Sequence, residues 1–278
     1  MALPPSLVFD IETIPDTAGL RLAWSLGGSG PDALDDAAVA QAALDRRREA
    51  TGRDFLPHHL HRIVAIGCVF RNGDDVRIRC LGEPGDDERR LINDFFRAIE
   101  RYTPQLVSWN GSGFDLPVLH YRALIHGIRA PRYWDHGDTD RDFRFNNYLS
   151  RFHSRHLDLM DVLAGYTGRA NAPLDELARL CGLPGKLGMD GSQVWPAWQR
   201  GEIGRIRDYC ETDVANTWLL FCRFRLMNGQ LTSAEYADEV RLFRDRISAL
   251  AGDHWREYLA AWPQPAESVQ PTPGAVGA

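Results

Sequence analysis

The sequence predicts an α/β domain with a mixed sheet, and two features of its pattern support this fold class. Short apolar runs come first, and two of them flank an Asn-Gly-Asp-Asp turn in the manner of a β-hairpin. Further apolar runs then alternate with amphipathic segments, which is the order of a sheet with helices packed on it. Of 278 residues, 44% are hydrophobic and 25% are charged, which supplies a sizeable core and excludes global disorder.

The predicted strands are concentrated in the first half of the chain. A proline-led apolar run over 5–11 predicts a buried strand, and the run over 105–109 predicts another. The segments 62–70 and 76–81 predict the two strands of the hairpin. Apolar periodicity predicts the following helices: 32–48 ending near Gly52, 87–102, 115–126, 173–182, 203–226 and 232–262.

This order of elements predicts one main domain with additions. The main domain covers 5–228, and 16–60 is an insert of loop and helix within it. A helical extension follows over 229–262. The last 16 residues, 263–278, contain four prolines and two glycines and predict a disordered tail.

Charge and cysteine content limit the possible environments. A net charge of −6 argues against a protein that coats nucleic acid by charge alone, although an acidic metal site remains compatible with it. Of the 32 basic residues only Lys186 is a lysine, which we attribute to coding bias. Five cysteines without close pairing favour a reduced, cytoplasmic setting. No apolar run is long enough to predict a membrane span.

Two acidic residues share one face of the first predicted strand. Strand alternation puts Asp10 and Glu12 on the same side, about 6.6 Å apart. Two carboxylates on an otherwise apolar strand repel each other unless a cation lies between them. The alternative is a strand end that leads into solvent. Asp-x-Glu also occurs at 86–88, where it is typical of a helix N-terminus.

Two further motifs carry acidic residues at positions that suit a site. Asp115 ends the sequence Asn110-Gly-Ser-Gly-Phe114-Asp115, where a strand passes through a glycine-containing loop into a helix. Ligands bind at such strand ends, although an N-cap role explains Asp115 equally well. Tyr209 and Asp213 share one face of the helix over 203–226, and Asp213 lies near its apolar side. A carboxylate there needs a partner or a metal, unless it reaches the surface.

The order of these motifs resembles the DEDD superfamily of 3′–5′ exonucleases. Tyr-x-x-x-Asp occurs once in the chain, and Phe-Asp occurs twice, each time in one of these motifs. The tyrosine form is similar to the DEDDy branch, and Asn-x-x-x-Phe-Asp is similar to the proofreading domains of family B DNA polymerases. More closely, the chain resembles the predicted stand-alone exonucleases related to those domains. As the resemblance to that family implies, the segments 190–194 and 201–203 come before the tyrosine motif.

The resemblance implies an RNase H-like fold, a mixed sheet flanked by helices, and a role for each motif residue. The implied ligands of two divalent ions, Mg²⁺ or Mn²⁺, are Asp10, Glu12, Asp115 and Asp213. Tyr209 would orient the attacking water, and Asn110 and Phe114 would line the cleft at the terminal nucleotide. The implied reaction is two-metal hydrolysis of single-stranded DNA from the 3′ end to 5′-mononucleotides.

A rival assignment uses a histidine in place of the tyrosine. His153 and Asp158 form the His-x-x-x-x-Asp pattern of the DEDDh branch. This pair follows Asp115 by only 43 residues, and no long helix is predicted around it. We therefore expect Asp158 to begin a helix after a strand.

Residues 122–155 combine basic and aromatic side chains. This segment contains seven arginines and four aspartates. The interleaved aromatic residues are Tyr133, Trp134, Phe143, Phe145, Tyr148 and Phe152. The composition suits a channel for a single strand, with Arg141 and Arg144 on phosphates. The alternative is that the aromatic residues are core and the arginines form a solvated face.

Three other functions remain open from the sequence. The first is an exoribonuclease of the same fold, because no residue that reads the 2′-hydroxyl can be identified. The second is a nucleic-acid-binding module without activity. The third is an unrelated scaffold in which the carboxylates lie far apart. The expected partner is single-stranded nucleic acid, DNA rather than RNA, and replication or repair proteins are further candidates.

Overall fold

A five-stranded mixed sheet forms the centre of the protein. The computed structural model describes residues 4–30 and 32–263. Its strands are β1 (Ser6–Pro15), β2 (His61–Asn72), β3 (Asp75–Cys80), β4 (Gln105–Ser108) and β5 (His156–Asp158). Across the sheet the order is β3-β2-β1-β4-β5, in which β2 runs antiparallel to the other four strands. The predicted α/β class with a mixed sheet is therefore confirmed.

Helices cover both faces of this sheet. Those in the described residues are α1 (Thr17–Trp24), α2 (Asp36–Thr51), α3 (Glu88–Tyr102), α4 (Asp115–His126), α5 (Leu159–Leu163), α6 (Leu174–Leu180), α7 (Val194–Gln199), α8 (Ile203–Met227), α9 (Ser233–Ser248) and α10 (Asp253–Ala261). None of these helices is long and apolar enough to cross a membrane. Most of the predicted tail, from residue 264 onward, lies outside the described residues.

Alternation along β1 divides the core into two layers. Leu7, Phe9 and Ile11 pack with the buried side chains of α3 and α4. Val8 packs on the opposite face against α8, α9 and α10. Because side chains alternate along a strand, Asp10 and Glu12 share the face of Val8 and point toward α8.

The insert between β1 and β2 has a small core of its own. This core consists of Leu20, Val39, Ala43, Leu56 and Leu60. Asp16 caps α1, and its carboxylate also pairs with Arg122 of α4 at 2.5 Å. Arg122 is buried and pairs in turn with Glu88 of α3. The network fixes the insert to the helices that cover the sheet.

Two helix predictions differ from the structure. The sequence predicts no helix over Thr17–Trp24, yet the Asp16 side chain accepts a hydrogen bond from the Gly19 N–H and caps one. The segment 232–262, which the sequence predicts to be helical, forms two helices, α9 and α10, which are separated at Gly252, whose φ is +131°. Buried residues of both helices join the core beside α8.

Candidate active site

Three elements bring four carboxylates together beside the end of β1. Asp10 and Glu12 project from β1, Asp115 is the first residue of α4, and Asp213 lies within α8. Glu12 is 7% exposed, and Asp115 and Asp213 are 4% exposed. Burial raises the pKa of Asp10 and of Glu12, and the neighbouring carboxylates raise each pKa further. The sequence motifs, separated by up to two hundred positions, therefore converge in space.

Asp115 is tied directly to the strand that carries the first two carboxylates. Its Oδ1 accepts a hydrogen bond of 3.0 Å from the backbone N–H of Ile11, which lies between Asp10 and Glu12. Burial raises the pKa of Asp115 to about 7, although the Ile11 N–H opposes this shift. The first turn of α4 is thereby positioned against β1. Asp115 is the first residue of the helix, and the N-cap position is Phe114, so the N-cap interpretation of Asp115 is wrong.

The loop before α4 is held by a residue of the neighbouring strand. Asp158 accepts hydrogen bonds of 2.9 Å from the backbone N–H groups of Asn110 and Ser112. Asn110 has a left-handed φ of +66°, and its carbonyl accepts from Gly113 and Phe114. Asp158 is also the N-cap of α5, as the sequence predicts. Its role in the loop was not predicted.

His153, the histidine of the rival DEDDh assignment, forms a hydrogen bond to a backbone group. Nδ1 of His153 accepts a hydrogen bond from the backbone N–H of Asn147, 3.0 Å away. Asp158 also accepts hydrogen bonds from backbone N–H groups, so both His153 and Asp158 stabilise loops in this structure. Neither side chain needs a metal to satisfy its polar atoms.

The second half of the site is built on α8 and contains a lysine. Lys186 Nζ lies 2.9 Å from the Asp213 carboxylate and 2.5 Å from the Tyr209 hydroxyl. Burial alone would lower the pKa of Lys186, but Asp213 and the β1 carboxylates raise it above its usual value. Burial and the same carboxylates hold the pKa of Tyr209 far above 10. The lysine is therefore charged and the tyrosine protonated at neutral pH.

The arrangement suits hard divalent cations. One ammonium group faces four buried carboxylates, which leaves an excess of negative charge in a poorly solvated space. Oδ1 of Asp213 is fully buried and has no hydrogen-bond partner in the described residues. An unpartnered buried carboxylate oxygen is costly, and oxygen ligands of this kind bind Mg²⁺ or Mn²⁺. The residues present therefore fit such ions.

A cysteine lies among the acidic residues. One potential ligand atom from each of Asp10, Glu12 and Cys210 lies within 4.8 Å of the other two. Burial raises the pKa of the Cys210 thiol well above its usual value, so the thiol is neutral. Its Sγ instead accepts a hydrogen bond of 3.1 Å from Gly67. Cys210 thus contributes to packing between α8 and β2.

The predicted substrate residues fall into two groups. Asn110 is exposed and Phe114 is half-buried, beside Asp115. Arg141 and Arg144 lie on an exposed 3₁₀ turn and form no ion pair within the described ranges. Of the aromatic residues in 122–155, the core includes Tyr133, Phe143 and Tyr148, whereas Trp134, Phe145 and Phe152 are exposed. The core interpretation thus holds for three of the six, and the channel stays a prediction.

One sequence comparison and one structural comparison show similarity between this chain and DNA polymerases. The chain is 27% identical over 165 residues to a DNA polymerase of Archaeoglobus fulgidus, a match that covers 58% of this chain and 20% of the polymerase. The structure is similar to the family B DNA polymerase of the hyperthermophilic archaeon Pyrobaculum calidifontis, with a TM-score of 0.47 and 18% identity. That alignment covers 93% of this chain and 27% of the polymerase.

A family profile covers most of the chain. It matches residues 53–262 and describes predicted 3′–5′ exonucleases related to the exonuclease domain of PolB. The matched range includes Asp115 and Asp213 of the four carboxylates, together with Lys186 and Tyr209. The chain therefore belongs to this family of predicted 3′–5′ exonucleases related to the PolB exonuclease domain.

Proposed function

We propose that the protein is a DEDDy-type exonuclease that removes 5′-mononucleotides from the 3′ end of single-stranded DNA. The observation that carries the proposal is the convergence of Asp10, Glu12, Asp115 and Asp213 beside the hydroxyl of Tyr209. Family membership supports the exonuclease reaction and its polarity. The choice of a single DNA strand and the use of two metal ions go beyond that support.

The four carboxylates would hold the metal ions. Two divalent cations bound there would neutralise charge on the attacked phosphodiester and lower the pKa of the attacking water. Because Glu12, Asp115 and Asp213 are almost fully buried, their electrostatic effect is weakly screened. The site is thus prearranged for a substrate that is itself an anion.

Tyr209 acts as a hydrogen-bond donor. Its raised pKa keeps the hydroxyl protonated, so it is a poor general base at neutral pH. The oxygen accepts from Lys186 Nζ, which leaves the hydroxyl proton free for a water molecule or a carboxylate. Tyr209 therefore orients the attacking water and does not remove its proton.

Lys186 supplies the positive charge next to the reacting group. Its side chain is 30% exposed, and its ammonium bridges Tyr209 and Asp213. A cation in this place attracts the scissile phosphate and balances the carboxylates before the substrate arrives. Replacing Lys186 with methionine should lower the rate about 10²–10³-fold, in the range found for a single preorganised donor.

The proposal is tested by following product lengths from a 5′-labelled oligonucleotide. With Mg²⁺ or Mn²⁺, single-stranded DNA should give a ladder that shortens from the 3′ end, and the released product should be a 5′-mononucleotide. A 3′-labelled strand separates this polarity from 5′–3′ cleavage, because its label should appear at once in the mononucleotide. Cleavage of an RNA of the same sequence tests whether the protein prefers deoxyribose or ribose. Faster cleavage of RNA would overturn the DNA assignment, and internal cleavage would overturn the exonuclease.

A further inference from the structure

A cluster of aromatic side chains surrounds Phe114 at the mouth of the candidate active site. The ring centroid of Phe55 lies 5.4 Å from that of Phe114, and those of His58 and His61 lie 5.7 Å and 5.2 Å away. Phe55 and His58 come from the segment that joins α2 to β2, and His61 is the first residue of β2. The insert therefore contributes directly to the surroundings of the Asn110–Asp115 loop.

Hydrogen bonds fix this segment in place. His58 Nε2 lies 3.0 Å from the carbonyl oxygen of Gly113 in the loop before α4. Nδ1 of His61 lies 2.9 Å from the hydroxyl of Thr13 on β1, and its Nε2 lies 3.1 Å from the carbonyl of Leu56. Because a carbonyl can only accept, Nε2 of His61 carries the proton and Nδ1 accepts from Thr13. The aromatic cluster is therefore preorganised.

Phe55 differs from its neighbours because it is open to solvent. Its side chain is 54% exposed, whereas Leu56 beside it belongs to the core of the insert. The carbonyl of Phe55 accepts a hydrogen bond of 3.1 Å from Nε of Arg47 in α2. Arg47 forms no ion pair within residues 4–30 and 32–263. The exposed ring and the Arg47 guanidinium thus belong to one stretch of surface, because the guanidinium donates to the backbone carbonyl of the residue that carries the ring.

We infer that Phe55 and Arg47 form a binding site for one nucleotide of the single strand, with the base on the Phe55 ring and the phosphate on Arg47. The inference rests on the proposed function and deepens it. Aromatic rings that stack on bases, combined with arginines that contact phosphates, are the usual means of binding a single strand without sequence preference.

The position of Phe55 beside the Asn110–Asp115 loop indicates that its ligand is the substrate strand. Phe114 immediately precedes Asp115, and Phe55 meets Phe114 edge to face at an interplanar angle of 60°. A strand whose terminal nucleotide lies at Phe114 therefore passes next to Phe55. The insert in this way adds a stacking surface that the four-carboxylate motif does not contain.

Equilibrium binding to an inactive protein tests the inference. The Asp10→Asn protein is titrated with a fluorescein-labelled single-stranded oligonucleotide, and anisotropy is recorded over a salt series. Added to this background, Phe55→Ala and Phe55→Leu should weaken binding about 5–100-fold, and Phe55→Trp should keep it, because stacking needs a flat ring. Arg47→Gln should reduce the slope of log K against log salt by about 0.7.

Matched controls separate stacking and charge from general effects. Leu180→Ala removes a side chain that is 84% exposed on α6, and Arg246→Gln removes a charge from α9 on the other side of the sheet. Both should bind as the Asp10→Asn parent does. Unchanged binding by Phe55→Leu, or an unchanged salt slope for Arg47→Gln, would overturn the inference. A parent that binds no strand, together with a wild type that cleaves none, would instead overturn the proposed function.

Discussion

Gly67 of β2 lies so close to Cys210 of α8 that no Cβ atom fits between them. A Cβ on Gly67 would be 2.9 Å from the Cys210 carbonyl oxygen and 2.8 Å from its Sγ. Tyr209 immediately precedes Cys210, and Asp213 follows one turn later. The absence of a side chain at Gly67 therefore sets how closely the carboxylate on α8 approaches the two carboxylates on β1.

Replacing Gly67 with alanine should move α8 away from the sheet and separate the metal ligands. We expect the rate of strand hydrolysis to fall at least tenfold, because small displacements of reacting groups cost large factors in rate. Steady-state hydrolysis of a labelled oligonucleotide measures the effect. Gly204→Ala is the matched control, since a Cβ at this exposed position of α8 meets nothing within 4 Å. A Gly67→Ala protein as active as Gly204→Ala would contradict this account of the helix position.

The carboxylate cluster should destabilise the protein when no metal is bound. Burial raises the pKa of Asp10, and Asp115 and Asp213 raise it further, so ionisation of Asp10 is unfavourable in the folded state. Asp10→Asn should therefore raise the melting temperature in EDTA, by about 2–4 °C for each kcal/mol of relief, while abolishing activity. Mn²⁺ should stabilise the wild type by binding the folded state, and should stabilise the variant less.

Differential scanning calorimetry in EDTA and in Mn²⁺ checks both effects. Asp238→Asn is a suitable control, because Asp238 is exposed on α9 and its only ion pair among the described residues is with Arg241. A decrease in melting temperature for Asp10→Asn in EDTA would show that Asp10 and the neighbouring carboxylates do not repel each other.

The sequence predicts the motif residues well but not the residues that hold them. Strand alternation is enough to place Asp10 and Glu12 on one face, and helix spacing is enough to pair Tyr209 with Asp213. Lys186 is the single lysine among 32 basic residues, and this feature, attributed above to coding bias, was the available signal for its place in the site. Its contact with Asp213 depends on a loop path that no local pattern describes.

The same reason applies to other long-range contacts. Asp158 contacts the Asn110 loop because β4 and β5 are parallel neighbours, and this pairing was not predictable from a strand of three residues. Phe55 reaches Phe114 only because the insert folds onto α4. Local sequence determines helices, strands and faces, whereas tertiary packing determines which side chains outside the motifs complete the site.

Asp158 should act as a positioning residue for the loop before α4. Asp158→Ala removes the hydrogen bonds from the N–H groups of Asn110 and Ser112, each worth about 0.5–1.5 kcal/mol. We expect a lower melting temperature and a rate reduced about 10–100-fold, with Mn²⁺ affinity nearly unchanged. Isothermal titration calorimetry with Mn²⁺ measures whether the variant keeps its affinity for the metal. Loss of Mn²⁺ binding in this variant would favour the rival histidine assignment.

His61, which is buried, and His120, which is half-buried, should make the fold sensitive to acid. Burial lowers the pKa of His61 and of His120 to about 4, whereas an unfolded histidine titrates near 6.5. Between these values the unfolded state binds more protons at these two rings, so their contribution to stability rises with pH across this window. Urea unfolding of wild type, His61→Asn and His120→Asn at pH 4.5, 5.5, 6.5 and 7.5 isolates this contribution, because the raised pKa values of Asp10, Glu12 and Asp115 act with the opposite sign in all three proteins. The free energy of unfolding of the wild type minus that of each variant should increase up to about pH 6.5. A difference that does not change between pH 4.5 and 6.5 would contradict the neutral state of these two rings.

The account depends most on the claim that the converging carboxylates perform the hydrolysis. The most direct measurement is single-turnover cleavage of a 5′-labelled single-stranded oligonucleotide by wild type, Asp213→Asn and Asp238→Asn, in Mg²⁺ and in EDTA. We predict 3′-end shortening by wild type and Asp238→Asn in Mg²⁺, none in EDTA, and a rate about 10²–10⁴-fold lower for Asp213→Asn. Equal rates for wild type and Asp213→Asn, or full activity in EDTA, would contradict the account.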